Sequence, residues 1–328
     1  MRSKSLVLAL LAALAGCTSS STMDGLTPSL ETTSSIPRPM AELPEGAEQT
    51  VAEQTVAAVM AAPQAVAEAV VEPIALVAAP VASAAAKVSA ANMIHRRNFR
   101  DAKPINFGKY SPKNLAVHGV DVSRWQGDID WQKLRGQGAN FVYIKATDGG
   151  DHLDPMFRKN WRDADRAGLK RGAYHFFYWC RTAGEQADWF IRNVPKVAGA
   201  LPPVIDVEWN GESRCKRRPS PAKVREKMQV FMDRLEAHYG QRPVIYTAPD
   251  FYRDNLKGAF LDYPFWLRAV AQHPSKVYPG RKWLFWQYSG SGLSHGVSGR
   301  IDLNVFNGTE RQWLAWSGGG GQLMVASQ

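Results

Sequence analysis

Residues 204–209 read Val204-Ile205-Asp206-Val207-Glu208-Trp209. β-Branched residues and acids alternate here, which predicts a strand. Side chains alternate faces along a strand, so Asp206 and Glu208 point the same way, roughly 6.5–7 Å apart along the backbone. Two carboxylates on one face repel each other, and at least one should hold its proton near neutral pH. A fixed acid beside a fixed base is what cleaving a glycosidic bond requires. Taken alone, the pair also fits a strand end with two solvated acids, so its surroundings must decide.

Outward from this stretch, eight candidate strands fall at 117–122, 141–146, 172–177, 203–208, 243–247, 265–269, 283–288 and 301–306. Helical stretches separate several of them. One, within 154–168, ends at Gly168. Thr182-Ala183-Gly184-Glu185 has the spacing of a capping box and opens a helix through about Val194. Ser220 and Pro221 supply an N-cap and a proline at the first helical position, and that helix should run to about Tyr239 and stop at Gly240. A shorter helix is expected over 249–257. Strands alternating with helices predict an α/β fold, an irregular (β/α) TIM-like barrel of eight strands with fewer helices. Strands six to eight are too closely spaced for full crossover helices, so the irregularity should lie at the C-terminal end.

In such barrels the chemistry sits at the C-terminal ends of the strands. Those ends carry Asp121 on strand one, Asp206 and Glu208 on strand four, and Asp302 at strand eight. Strands one and eight are neighbours in a closed barrel and strand four lies across the mouth. Four carboxylates are thus expected to converge on one cleft.

The order of motifs resembles the glycoside hydrolase family 25 lysozymes, the Chalaropsis-type muramidases. The residues that carry the resemblance are Gly119-Val120-Asp121-Val122-Ser123-Arg124-Trp125-Gln126 with Ile129-Asp130-Trp131, then Phe141-Val142-Tyr143-Ile144-Lys145-Ala146-Thr147. Gly172-Ala173-Tyr174-His175-Phe176, Asp206-Val207-Glu208, Trp286-Gln287-Tyr288 and Ile301-Asp302-Leu303-Asn304 follow in the family's order. The resemblance covers about 115–316. It implies hydrolysis of the β-1,4 bond between N-acetylmuramic acid and N-acetylglucosamine, with no cofactor. It also implies Glu208 as general acid and Asp121 as base, nucleophile or orienter of the substrate's acetamido group. Asp206 and Asp302 would position and polarise. Retaining, inverting and substrate-assisted routes all stay open. Tyr174, Phe176, Trp286 and Tyr288 are candidate sugar contacts, with packing at the barrel rim as the alternative. His175 is given no chemical role. Two further functions stay in view: a wall-binding lipoprotein without turnover, and hydrolysis of another N-acetylhexosamine polymer such as chitin.

The flanks have a different character. Residues 1–16 have a basic start and the apolar run Leu6–Leu14, which predicts a signal peptide. It ends Leu14-Ala15-Gly16-Cys17, which resembles a bacterial lipobox with Cys17 as the lipidated residue. Thr18, not Asp, follows, and an outer-membrane anchor facing the periplasm is expected. Residues 17–113 are expected to be a lipidated tether. Its Ser/Thr/Pro and Ala/Val/Pro/Glu stretches lack the apolar surface for a core; a basic lead-in follows at 93–113. The barrel is assigned to 114–317 and a flexible tail to 318–328.

Net charge is +10, with 36 basic and 22 acidic residues in 93–328. A basic surface attracts polyanions such as an anionic wall. The tightest run is only Lys216-Arg217-Arg218, so nucleic acid is not the expected partner. Eleven Trp fit either sugar platforms or core. Cys180 and Cys215 follow strands three and four closely, so a disulfide bracketing the cleft is expected, with two free thiols as the alternative. Gly292-Leu293-Ser294-His295-Gly296 matches a nucleophile elbow but lies in a Gly/Ser-rich loop between strands, not between a strand and a helix. No H-E-x-x-H, Cys-x-x-Cys or phosphate-binding glycine pattern occurs, so no metal site is expected. A monomer is expected.

Overall fold

A computed structural model describes residues 93–211 and 213–319. The expected signal peptide, Cys17, the tether up to residue 92 and residues 320–328 lie outside the described residues.

The strands are β1 (Arg100–Asp101), β2 (His118–Val122), β3 (Phe141–Asp148), β4 (His152–Leu153), β5 (Lys170–Phe176), β6 (Val204–Val207), β7 (Val244–Thr247), β8 (Phe265–Arg268), β9 (Phe285–Leu293) and β10 (Ile301–Phe306). Strands β2, β3, β5, β6, β7, β8 and β9 follow one another in parallel register, β10 lies between β9 and β2, and the eight close into a barrel. β1 and β4 are short additions on β9 and β3.

The irregularity expected at the C-terminal end has a specific form. β10 is antiparallel to both β9 and β2. Antiparallel neighbours need only a short connection, whereas parallel ones need a crossover, which is why no helix fits between β9 and β10. Asp302 therefore sits near the start of its strand, not at a C-terminal end. It reaches the same rim because it pairs with Asp121.

Helices α1 (Trp131–Gly136), α2 (Phe157–Arg166), α3 (Ala183–Asn193), α4 (Pro221–Tyr239), α5 (Pro249–Asn255), α6 (Pro274–Val277) and α7 (Glu310–Gly318) complete the fold. Ser220 caps α4 through the Lys223 N–H, and Gly240 ends it with φ 69°, a left-handed conformation that glycine adopts freely. At α3 the Thr182 hydroxyl accepts from the Glu185 N–H as its spacing predicts. Glu185 does not return the bond; its carboxylate faces Arg181 at 3.8 Å.

Strand alternation divides the core in two. Outward residues such as Val120, Val142, Ile205, Ile245 and Leu267 join helix residues such as Phe190, Met228 and Phe231 in the larger cluster. Inward residues form an aromatic floor, with Phe141, Tyr143, Tyr246, Trp266, Phe285 and Phe306 among them, sealed by Trp313 and Trp316 of α7. Two glycines make room for this floor. A Cβ at Gly119 would lie 2.5 Å from the Phe141 ring, and one at Gly172 only 2.2 Å from Tyr143. Neither position tolerates a side chain without displacing a floor ring.

The boundary at 113 does not hold. Residues 93–113 pack on the barrel rather than belonging to the tether. Phe99 is buried, β1 pairs with β9, and the His95 N–H donates to Asn140 Oδ1 at 2.7 Å.

Candidate active site

Above the aromatic floor the inner face turns polar. Register places Asp302 beside Asp121, Asn304 beside Gln287, Gln287 beside Arg268, and Asp206 between Phe176 and Tyr246. Glu208 follows directly on β6, two residues beyond Asp206, with its backbone oxygen accepting from Trp179 Nε1 at 2.7 Å. All four carboxylates are nearly buried, with Asp121 6%, Asp206 4%, Glu208 3% and Asp302 9% exposed. The charges of Asp121, Asp206 and Glu208 all act on the buried Tyr246 hydroxyl, whose pKa is raised well above its ordinary value by burial first and then by these acids. The three strands thus bring their acids to one end of the barrel interior.

Asp121 is held by a chain of buried amides. Its Oδ2 accepts from Asn304 Nδ2 at 2.7 Å and Gln287 Nε2 at 3.0 Å. Gln287 Oε1 accepts from the Tyr246 hydroxyl at 2.9 Å, and Asn304 Oδ1 from Trp266 Nε1 at 2.8 Å. Each amide is fixed at both ends, so Asp121 is oriented by groups that cannot swing away. Its pKa is raised from 3.8 to about 6, first by burial and further by the Glu208 charge; the Asn304 and Gln287 hydrogen bonds and the Arg268 charge oppose the rise. Two carboxyls that feel each other's charge titrate as a pair, so the first proton lost makes the second harder to lose. An acid and a base can coexist here near neutral pH.

Gln287, Asn304, Tyr246 and Arg268 are site residues that sequence reasoning did not single out. The signal was present: each is a polar group on the inward parity of an otherwise apolar strand. Lys145 fits the same rule. It lies buried beside Tyr174 in register, with Nζ 2.6 Å from Asp148 and 5.3 Å from the Phe176 ring. Tyr174 is half-buried on the inner face and Phe176 lies at its upper end, so both face the interior that holds the acids.

Trp286 and Tyr288 are corrections. Gln287 points inward, so its two neighbours point outward. Trp286 is fully buried, with Phe107 at 4.9 Å and His273 at 5.1 Å between ring centroids, and its Nε1 donates to the Ala269 oxygen. The Tyr288 hydroxyl lies 3.2 Å from His118 Nδ1. Neither ring is available to a sugar in the barrel mouth. His175 also points outward. It is fully buried between Thr147 Oγ1 and Gln186 Oε1 and stacks on Phe231, and burial lowers its pKa to about 4. It is a neutral packing group.

Cys180 and Cys215 are bonded, with Cα atoms 5.6 Å apart, and tie the loop after β5 to the loop after β6. Among the described residues no group of three or more His, Cys, Asp or Glu is arranged to hold a metal ion, and no helix is long and apolar enough to cross a membrane.

Comparison with known proteins agrees with this geometry. Residues 120–297 match Glycosyl hydrolases family 25. The chain is 38% identical over 237 residues to protein YegX of Escherichia coli O157:H7, covering 71% of this chain and 84% of that one. It is 36% identical over 207 residues to lysozyme M1 of Streptomyces globisporus, covering 61% and 70%. A solved family 25 glycosyl hydrolase from Bacillus anthracis superposes with a TM-score of 0.59 at 37% identity, over 65% of this chain and 97% of that one. With a family match over more than half its length and an acid-lined barrel mouth to go with it, the chain belongs to glycosyl hydrolases family 25 and is a glycoside hydrolase.

Proposed function

We propose that this enzyme hydrolyses peptidoglycan as a muramidase, cutting the β-1,4 bond between N-acetylmuramic acid and N-acetylglucosamine. The observation that carries the reading is the gathering of Asp121, Asp206, Glu208 and Asp302 in one buried polar end of the barrel, where burial raises the Asp121 pKa to about 6. Similarity to a lysozyme supports the choice of substrate.

In this reading Glu208 protonates the leaving oxygen. It sits on a backbone pinned by Trp179, so its carboxyl is carried by a fixed strand end. Asp121 meets the sugar from the other side, as an anion oriented by Asn304 and Gln287. Whether it activates water, attacks carbon or aligns the acetamido group depends on its distance from the sugar. Asp206 and Asp302 position and polarise the reacting groups from the neighbouring strands. Tyr174 and Phe176 offer a hydroxyl and a ring face to the sugar.

The test is a peptidoglycan zymogram with product mass spectrometry. Wild type should clear the gel and leave N-acetylmuramic acid at the reducing end. Glu208→Gln should lose about 10²–10⁴-fold in rate, the usual worth of a positioned acid. Equal clearing by both would refute the role of Glu208. N-acetylglucosamine at the reducing end would refute muramidase action.

The cellular setting is part of the same proposal. Leu14-Ala15-Gly16-Cys17 supports lipidation of Cys17 and an anchor in the cell envelope, on the periplasmic face of the outer membrane. Fatty-acid labelling lost in Cys17→Ser is the expected result.

A further inference from the structure

The loop that follows Glu208 carries Arg214, Lys216, Arg217 and Arg218, all exposed and within five residues, with one acid in the same loop, Glu212, which lies outside the described residues. Among the described residues no acidic side chain forms a salt bridge with any of the four. Nearby cations differ: Arg181 is paired with Asp151 and Lys223 with Glu226. Like charges crowded on a mobile loop would spread apart. Here they are held together instead.

Three things hold them. The Cys180–Cys215 bond fixes the middle of the run to the loop after β5. Asn210, at the loop's start, is buried and bonds Trp179 N through Oδ1 at 3.2 Å and the Phe177 oxygen through Nδ2 at 3.1 Å. Arg218, at its end, lies over the Trp209 ring at 4.9 Å, and Trp209 Nε1 donates to Asp254. Lys227 braces the other side of the disulfide by donating to the Trp179 and Arg181 oxygens. Burial, then Lys223 and then Arg217 depress the Lys227 ammonium, so Arg217 lies within reach of it. A fold that sets four cations against one acid on a braced loop has prepared a site for an anion.

The place of this loop identifies the anion. It begins at the acid itself and rises from the end of the barrel where the glycan must enter. A neutral polysaccharide offers such cations nothing, but the peptide stems of peptidoglycan carry free carboxylates beside the glycan. We infer that the stapled loop of Arg214, Lys216 and Arg217 is a receptor for stem-peptide carboxylates, making the enzyme select glycan whose stems carry free carboxylates over glycan whose stems are neutral. This rests on the muramidase reading, but it is tested by binding, without turnover.

The experiment uses full chains that carry Glu208→Gln, so that the polymer is not digested, and compares that chain with one that also carries Arg214→Ala/Lys216→Ala/Arg217→Ala, leaving Arg218 on its ring. Affinity is measured for insoluble intact peptidoglycan and for the same polymer with its stem carboxylates converted to neutral amides by carbodiimide and ammonia. At low salt the triple variant should bind intact peptidoglycan about tenfold more weakly, as expected for several exposed charges acting together. The loss should shrink at 0.5 M salt, where the screening length falls below about 5 Å. On the amidated polymer the two proteins should bind alike. An Arg214→Lys/Arg217→Lys variant should behave as wild type, which separates charge from fold. Equal losses on both polymers, or no loss on either, would overturn the inference. So would a larger loss for anionic phospholipid vesicles than for intact peptidoglycan, which would make the loop a membrane contact. Wild type that binds intact peptidoglycan in preference to the amidated polymer yet releases no fragments would sink the muramidase reading and leave this one standing.

Discussion

Asp121→Asn should make the protein more stable and less active, and the stability gain should depend on pH in a defined direction. Asparagine keeps the shape of the side chain, and its oxygen can accept from Asn304 and Gln287 as the carboxylate does. What it removes is a charge in a buried site. The carboxyl has a folded pKa of about 6 against an ordinary 3.8, so the folded state favours the proton. A group raised in this way contributes stability that is fully present below the unfolded value and is lost as pH rises through the folded one. Wild type should therefore weaken between about pH 4 and pH 6 relative to the variant and level off above. At 1.36 kcal/mol per pKa unit, the rise from 3.8 to about 6 corresponds to about 3 kcal/mol at pH 7.5. At pH 4 the same calculation leaves under about 1 kcal/mol. For a domain of this size the 3 kcal/mol at pH 7.5 corresponds to about 6–12 °C in Tm. Thermal and urea unfolding of both proteins at pH 4 and pH 7.5 would read it. A difference of the same size at both pH values would refute the claim that Asp121 is strained by its own charge. The opposite sign would mean that its hydrogen bonds outweigh its burial. Because the same variant should be nearly inactive, the result also measures how much stability the fold gives up to keep an anion in the barrel.

Two further outcomes follow from the same geometry. Arg268→Met removes the cation that opposes the rise at Asp121, so the Asp121 pKa should move above about 6, read by carbon-13 titration of the carboxyl and by an acid limb displaced to higher pH. A shift downwards would show that Arg268 acts by packing and not by charge. Cys180→Ser/Cys215→Ser opens a loop spanning 35 residues; chain entropy then predicts a loss of up to about 4 kcal/mol, measured by urea unfolding, while unchanged stability would mean that the Asn210 and Lys227 contacts alone hold the two loops.

Much of the architecture was written locally. The apolar runs of β2, β3, β7 and β8 and the cap at Ser220 each specify their element from neighbouring residues, and these agree with the structure to within a few positions. The lead-in at 93–113 was not legible in this way. Phe99, Phe107 and Tyr110 are isolated aromatics in a basic segment without periodicity. Their order comes from partners far away: β1 on β9, Phe107 on Trp286, and Tyr110 stacked on His273 at 4.9 Å. That one omission produced a second. Without the lead-in, Trp286 reads as a bare aromatic near the rim; with it, the ring is roofed by Phe107 and lost to solvent. The direction of β10 was equally hidden, because an antiparallel strand and a parallel one share the same alternation and only the short connection separates them.

Alternation would have gone further had it been applied to Trp286-Gln287-Tyr288 as it was to Asp206-Val207-Glu208. Both triplets put like with like on one face and leave the middle residue on the other. In β6 the acids face in and Val207 faces out; in β9 the amide faces in and the rings face out. The inner face of an eight-stranded barrel is narrow and floored here by aromatics, so a carboxylate placed in it loses water and must take donors from the protein. Asp121 on β2 therefore demands partners on the strands it can reach, and β10 and β9 supply Asn304 and Gln287, themselves held by Trp266 and Tyr246 from β8 and β7. The buried amides are the physical consequence of the acid's position. A polar residue of inward parity in an apolar strand is thus as informative about the site as the carboxylates are, since the acid needs it in order to exist there as an anion.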